Sequence, residues 1–300
     1  MSRVALKVDC DTFTGTRDGI PKLLRAFDRA AVRATFFFTL GPDRSGRAIV
    51  RVLTRKGFLR KMLRSRALSL YGPRTALSGT LLPAPHIGRR LGDLIRSVRD
   101  AGHEVGVHGW DHVRWHDRLH RMSREAIAHD YGAAHDEFAR IFGERARASA
   151  APGWHATAAS KLVQEDFHLH YASDTRGGSP FLPAVDGRTL GTLEIPTTLA
   201  TWDELLGTPA CPTVAHLVDC TRRAVTGTEV HSIHTEGEGT VLLAQFEQLL
   251  RAWAADGVRI MTLAEVARER MRDPARVPVR RLVRTTLPGR AGEVTGSVAP

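Results

Sequence analysis

Short apolar runs alternate along most of this chain with segments of helical periodicity, and few architectures accommodate that alternation. Strand-like runs fall at residues 4–8, 34–40, 104–107, 169–173, 193–195, 229–233 and 258–261. Helices are predicted over 19–31, with Pro21 near the first turn, and over 91–101 and 213–225. Ser123 is placed to cap a helix running to Phe142 and stopped by Gly143. Thr240 is expected to cap a helix whose one face carries Leu242, Leu243, Phe246, Leu249, Leu250 and Trp253 and which ends at Gly257; another helix starts at Leu263. Strands separated by helices pair in parallel, so the fold class is α/β, with a mostly parallel sheet, open or closed into a barrel. In both versions chemistry belongs at the C-terminal ends of the strands.

Hydrophobic residues make up 42% of the 300, enough to bury a sizeable core. Three cysteines, an odd number, argue against a disulfide framework and for a reducing compartment. The apolar stretch 34–40 falls far short of the roughly 20 residues a membrane span needs. The first residues, MSRVALKVD, have no signal-peptide hydrophobic region. A cytoplasmic protein, soluble or peripheral on a membrane, is expected.

The formal charge of +11 is concentrated in two places. Residues 44–92 hold twelve Lys and Arg and no Asp or Glu, and residues 268–290 hold eight arginines against Glu269 and Asp273. The remainder of the chain is net acidic. Such segments seek an anionic partner: nucleic acid, a phospholipid surface or a phosphorylated ligand. In the first, Phe58, Leu59, Met62 and Leu63 repeat at helical spacing beside Lys56, Arg60, Lys61 and Arg64, the pattern of an interfacial helix on anionic lipid. The organisation expected is a catalytic body over 1–272, a basic membrane-facing insertion over 44–92, and an Arg/Pro-rich tail over 273–300. With Pro274, Pro278 and Pro288, that tail is expected to be extended and loosely held.

Acids and histidines collect where strands end. Asp9 and Asp11 close the first strand on a shared face, with Cys10 turned away. One carboxylate can bind a metal and the other act as a base. His108 and His112 follow the strand at 104–107 at a spacing that puts both imidazoles on one side. His234 ends a third strand and suits a third ligand or a general acid; Asp174 ends a fourth and suits an orienting role. Two His and one carboxylate leave coordination positions open for water and a substrate oxygen, and amide hydrolysis is the natural reaction.

The run 102–112, GHEVGVHGWDH, resembles the second motif of the NodB-type polysaccharide deacetylases, the carbohydrate esterases of family four; residues 4–11 resemble their first motif and Ile233-His234 their last. The resemblance implies a distorted (β/α)7 barrel and one divalent metal ion, with zinc, manganese and cobalt equally suited. It implies Asp9 as catalytic base, Asp11, His108 and His112 as metal ligands, and His234 as general acid. The family's adjacent aspartates are separated here by Cys10. Its third motif carries an Arg that pairs with the Asp of the fourth; residues 149–155 hold no Arg, which leaves His155 and Arg176 as candidates to engage Asp174, and Trp154 as a wall of the sugar pocket. A narrower resemblance spans nearly the whole chain, through residues 8–17, 41–43, 61–65, 69–72, 173–177 and 201–204. It is to the deformylases that act on a formamido-arabinose carried on undecaprenyl phosphate in lipid A modification and polymyxin resistance. That implies work at the cytoplasmic face of the inner membrane, against an anionic lipid surface and without an obligate protein partner. Two rivals make other predictions. A deacetylase of soluble N-acetylated glycans has no use for a basic amphipathic insertion, and a basic nucleic-acid-binding protein has no use for acids and histidines at strand ends.

Overall fold

A computed structural model describes residues 2–49, 78–80 and 82–299. Its centre is a parallel sheet built on β1 (Arg3–Cys10). Val4, Leu6, Val8 and Cys10 face a helical layer, and Ala5, Lys7 and Asp9 face the interior; both sets are buried, as in strands covered on both faces. β2 (Thr35–Thr39) is buried throughout, and β3 (Glu104–Gly109) follows. The register of β2 on β3 shifts between Phe38, opposite Val107, and Thr39, opposite Gly109, leaving His108 at an irregularity of the kind that re-aims a side chain. β4 (Ala148–Ser149), β5 (Tyr171–Ala172), β8 (Leu193–Glu194), β9 (Thr228–His234) and β10 (Arg259–Met261) complete the sheet. β9 pairs with β1 along its length, which sets His234 opposite Asp9. Thr198 N and Leu199 N donate to Val230 O, drawing the chain after β8 back to β9. The result is the expected distorted parallel barrel wrapped by helices.

Those helices are α1 (Phe13–Arg29), α2 (Ile87–Asp100), α3 (His112–Arg118), α4 (Arg124–Phe142), α5 (Ala158–Glu165), α6 (Trp202–Leu205), α7 (Leu217–Arg223), α8 (Leu243–Ala255) and α9 (Leu263–Arg270). α4 has the expected ends, with Ser123 Oγ accepting from Ala126 N and Gly143 left-handed at φ 74°. α1 starts earlier than expected. Thr12 caps it, and Pro21 lies inside it rather than in its first turn. Two glycines masked the opening turns: at Gly15 and Gly19 a Cβ would strike Glu236 and Thr235, so close packing explains residues that read as helix breakers. Thr240 does not cap α8. It sits in a π-turn over Gly237–Val241, its hydroxyl donating to Glu236 O, and α8 begins at Leu243.

The tail is not loosely held. β11 (Val279–Thr286) and β12 (Glu293–Val298) form an antiparallel hairpin, and β11 adds in parallel to β6 (Leu182–Val185), itself paired with β7 (Arg188–Thr189). The basic insertion leaves and re-enters the body as two joined stems: Asp43 N donates to Pro85 O and Gly46 N to Ser78 O. The proposed membrane-contact residues Lys56, Phe58, Leu59, Arg60, Lys61, Met62, Leu63 and Arg64 lie outside the described residues.

Candidate active site

β1, β3 and β9 deliver their motifs to one end of the barrel. Asp9 is the last inward-facing residue of β1, and Asp11 lies just beyond the strand, so both carboxylates meet His108: Asp9 Oδ1 is 3.8 Å from Nδ1 and Asp11 Oδ1 3.2 Å from Nε2. Cys10 points into the apolar core instead. Asp111 caps α3, its Oδ1 accepting from Arg114 N, and so fixes His112 at the first helical position. His112 Nε2 lies 3.4 Å from Asp11 Oδ2, and its ring centroid is 5.4 Å from that of His108.

Asp11, His108 and His112 offer ligand atoms all within 4.8 Å of one another. Ligands held about 2.1 Å from one ion stand about 3.0–3.4 Å apart, so the Asp11–His108 and Asp11–His112 separations suit a shared divalent cation. An imidazole pair with one carboxylate is also a donor set such ions accept. Burial opposes ionisation of Asp11, but His112, His108 and His234 outweigh it and hold the carboxyl well below the usual range.

Asp9 is held separately. Ser232 Oγ donates to its Oδ2 at 2.8 Å, and the buried ammonium of Lys7 stands 3.6 Å away while donating to Ser173 O. His234 N donates to Glu238 Oε2. Burial pulls the His234 imidazole down, yet Asp11, Asp9 and Glu238 push it up to about 9, so the ring carries a proton at neutral pH. A dication beside Asp11 would draw that value back toward neutrality.

Trp154 follows Gly153 in a turn where both have positive φ, 56° and 65°. Its indole N–H donates to Thr197 Oγ1, and its ring centroid lies 4.8 Å from the guanidinium carbon of Arg176 and 4.7 Å from that of Arg290. One edge faces His234 at 6.4 Å. Arg176 turns not to Asp174 but to Glu204, with Nη1 at 2.7 and 2.9 Å from its two carboxylate oxygens; Arg290 from the tail joins the same carboxylate at 3.3 Å. His155 packs its ring against His116 and His120. The Asp174 carboxylate instead accepts from Lys161 Nζ and Gln164 Nε2, each at 2.6 Å, and Lys161 also binds Glu194. Lys161, Lys7, Ser232, Glu204 and Arg290 were not singled out by the sequence pattern. A buried lysine and an exposed one look alike in a single sequence, and nothing local marks them.

Residues 2–172, more than half of the chain, match the polysaccharide deacetylase family. The chain is 37% identical over 267 residues to a probable 4-deoxy-4-formamido-L-arabinose-phosphoundecaprenol deformylase ArnD from Shewanella sediminis, covering 89% of this chain and 86% of that protein. A protein of the same description from Wigglesworthia glossinidia brevipalpis is 29% identical, covering 93% of this chain and 96% of its own. Among solved structures, a polysaccharide deacetylase from Mycobacterium smegmatis superposes with a TM-score of 0.62 at 19% identity, over 95% of this chain and 94% of that one. One from Pseudomonas aeruginosa PAO1 gives 0.57 at 16% identity, over 90% and 91%. These two structures share the fold described above.

Proposed function

This chain belongs to the polysaccharide deacetylase family and is a hydrolase of amide bonds, and from that premise we propose that it deformylates 4-deoxy-4-formamido-L-arabinose-phosphoundecaprenol. Water adds to the formyl carbon, the C–N bond breaks, and formate leaves the 4-amino sugar on its carrier. The carrying observation is the convergence of Asp9, Asp11, His108, His112 and His234 at one barrel end, in a chain 37% identical to a protein described as that deformylase. The product sugar gains a positive charge, which suits a role in lipid A modification and resistance to cationic peptides such as polymyxin. The polyprenyl carrier keeps the substrate in the bilayer, which suits peripheral attachment at the cytoplasmic face of the inner membrane.

Asp11, His108 and His112 would hold a divalent ion, zinc, manganese or cobalt, which would supply Lewis acidity toward the amide carbonyl and toward water. Asp9 takes the proton of the attacking water; Ser232 and Lys7 orient its carboxylate and balance its charge. His234, on the neighbouring strand, gives its proton to the departing nitrogen, without which an amine leaves poorly. Trp154 walls the sugar's side of the site, its ring fixed by Arg176 and Arg290.

The test is mass spectrometry of the detergent-dispersed lipid-linked formamido sugar incubated with metal-loaded protein, beside a chelated sample. Metal-dependent loss of one formyl group is expected. Asp9→Ala and His234→Ala should each lower turnover by about 10²-fold or more with the circular dichroism spectrum unchanged. Near-wild-type turnover in either variant would overturn these roles. Turnover of a soluble N-acetylated glycan with none of the lipid-linked formamide would overturn the substrate.

A further inference from the structure

Beyond His112, the imidazoles continue. His116, one turn further along α3, lies parallel to His112 with centroids 6.3 Å apart; His155 packs edge-on against His116 at 4.7 Å, and His120 against His155 at 5.6 Å. These three rings line a cavity of about 450 Å³, within the range of small-ligand sites. Arg121 borders it from the body and Arg284 from the C-terminal hairpin. Gly153 permits the close approach of the two walls, since a Cβ there would come within 2.2 Å of His116.

Nitrogen donors outnumber acceptors in this cavity. Its two carboxylates are engaged: Glu293 with Arg284 across the hairpin, and Asp117 with His116 Nδ1 at 3.1 Å. Arg121 forms no ion pair among the described residues, and the guanidinium of Arg284 has further N–H groups beyond those facing Glu293. Two arginine forks and a set of imidazoles around a hollow suit a tetrahedral oxyanion. The hollow begins one helical turn from the metal ligand His112, of the order of one sugar ring away.

We propose that this cavity is a phosphate subsite, which receives the phosphate joining the sugar to its lipid carrier while the formamide lies at Asp11, His108 and His112. The inference rests on the proposed deformylation for its choice of phosphate, but the cavity and its donors stand apart from that reaction. It also gives the arginine-rich hairpin a task, because Arg284 reaches the subsite only through the pairing of β11 with β12.

Two arms test it with the metal-loaded full chain and an Arg121→Ala/Arg284→Ala variant, both positions being at the surface. The first compares the phosphate-linked formamido sugar with the same formamido sugar as a phosphate-free methyl glycoside. The variant should raise KM for the phosphate-linked compound about tenfold, leave kcat within about twofold, and leave the glycoside's kinetics unchanged. An equal loss on both compounds overturns the subsite, and no loss on either overturns the carrier assignment. The second arm titrates inorganic phosphate calorimetrically into both proteins; phosphate held at the metal centre is common to them and cancels. Weaker binding in the variant is expected. Weaker binding with unchanged kinetics assigns the cavity to free phosphate and overturns the carrier assignment; equal binding overturns the subsite altogether. If wild-type protein turns over neither compound, the deformylation fails, and the calorimetric arm still decides whether the cavity binds phosphate.

Discussion

Lys161 is 2% exposed, and its ammonium touches two carboxylates that are equally buried, Asp174 and Glu194. Burial works against the charge on Lys161, but the two carboxylates outweigh it and raise its pKa. Glu194 Oε1 in turn accepts from Asp174 N and Thr175 Oγ1, and Gln164 links the cluster to Tyr131 and Ser149. Removing one partner of such a buried set strands the others. Lys161→Met should therefore cost about 3–5 kcal/mol in urea unfolding, whereas the triple change with Asp174→Asn and Glu194→Gln should recover part of it. A loss below about 1 kcal/mol for the single change would mean that the cluster is solvated in practice. The contrast with the groups proposed to react is instructive. Asp9, Asp11, His108, His112 and His234 were legible because acids and histidines at strand ends are chemically conspicuous. The partner of Asp174 was not, since Lys161 sits in an unremarkable amphipathic helix and its burial is decided by packing with β8, far along the chain.

At the level of elements, β9 alternates between two environments. Val230, Ser232 and His234 face the barrel interior, while His231 and Ile233 face the helical layer. His231 is fully buried with its ring edge-on to Trp253 of α8, and neither ring nitrogen makes a hydrogen bond among the described residues. Burial, with His234 and Arg176 nearby, pushes its pKa down to about 3. Burial likewise holds His103 and His135 at about 4. Each of these groups binds its proton in the unfolded chain near pH 6.5 and releases it on folding, so their contribution to stability is complete above about pH 6.5 and is lost as pH falls toward 4 and below. His231→Leu should stabilise the protein by about 1 kcal/mol at pH 7, because it removes a buried polar ring that lacks partners. It should also flatten the acid limb of a stability profile measured by urea unfolding from pH 7 to 4. An unchanged acid limb would remove His231 from the account. The same alternation makes β9 readable in sequence, whereas the order of the tail is not. β11 places arginines on a half-exposed strand whose partners are β12 and the distant β6, so its order comes from pairing that no local pattern reports.

For the whole molecule, charge and shape point the same way. No helix among the described residues is long and apolar enough to cross a membrane. On the proposed function the substrate is anchored in the bilayer, and the basic residues of 44–92, which includes no Asp or Glu, are proposed to supply attraction to its anionic surface. The stems of that insertion sit against the active site: Arg44 pairs with Asp111, the cap of the helix that begins at His112, and His86 packs edge-on to Trp110. Docking the insertion would bring the mouth of the site to the lipid surface. Each base near an anionic bilayer contributes about 1 kcal/mol, so converting four of them to acids removes that attraction and adds repulsion of similar size. Lys56→Glu/Arg60→Glu/Lys61→Glu/Arg64→Glu should shift the protein from pellet to supernatant in sedimentation with phosphatidylglycerol vesicles. Raised salt should do the same to the wild type, since the Debye length shrinks to about 3 Å at 1 M. Metal content and turnover of the phosphate-free glycoside should stay unchanged, because Asp9, Asp11, His108, His112 and His234 all lie on the body. Continued sedimentation of the variant would transfer the anchoring role to the arginines of the C-terminal hairpin, and loss of metal would mean that the insertion is a structural support of the site.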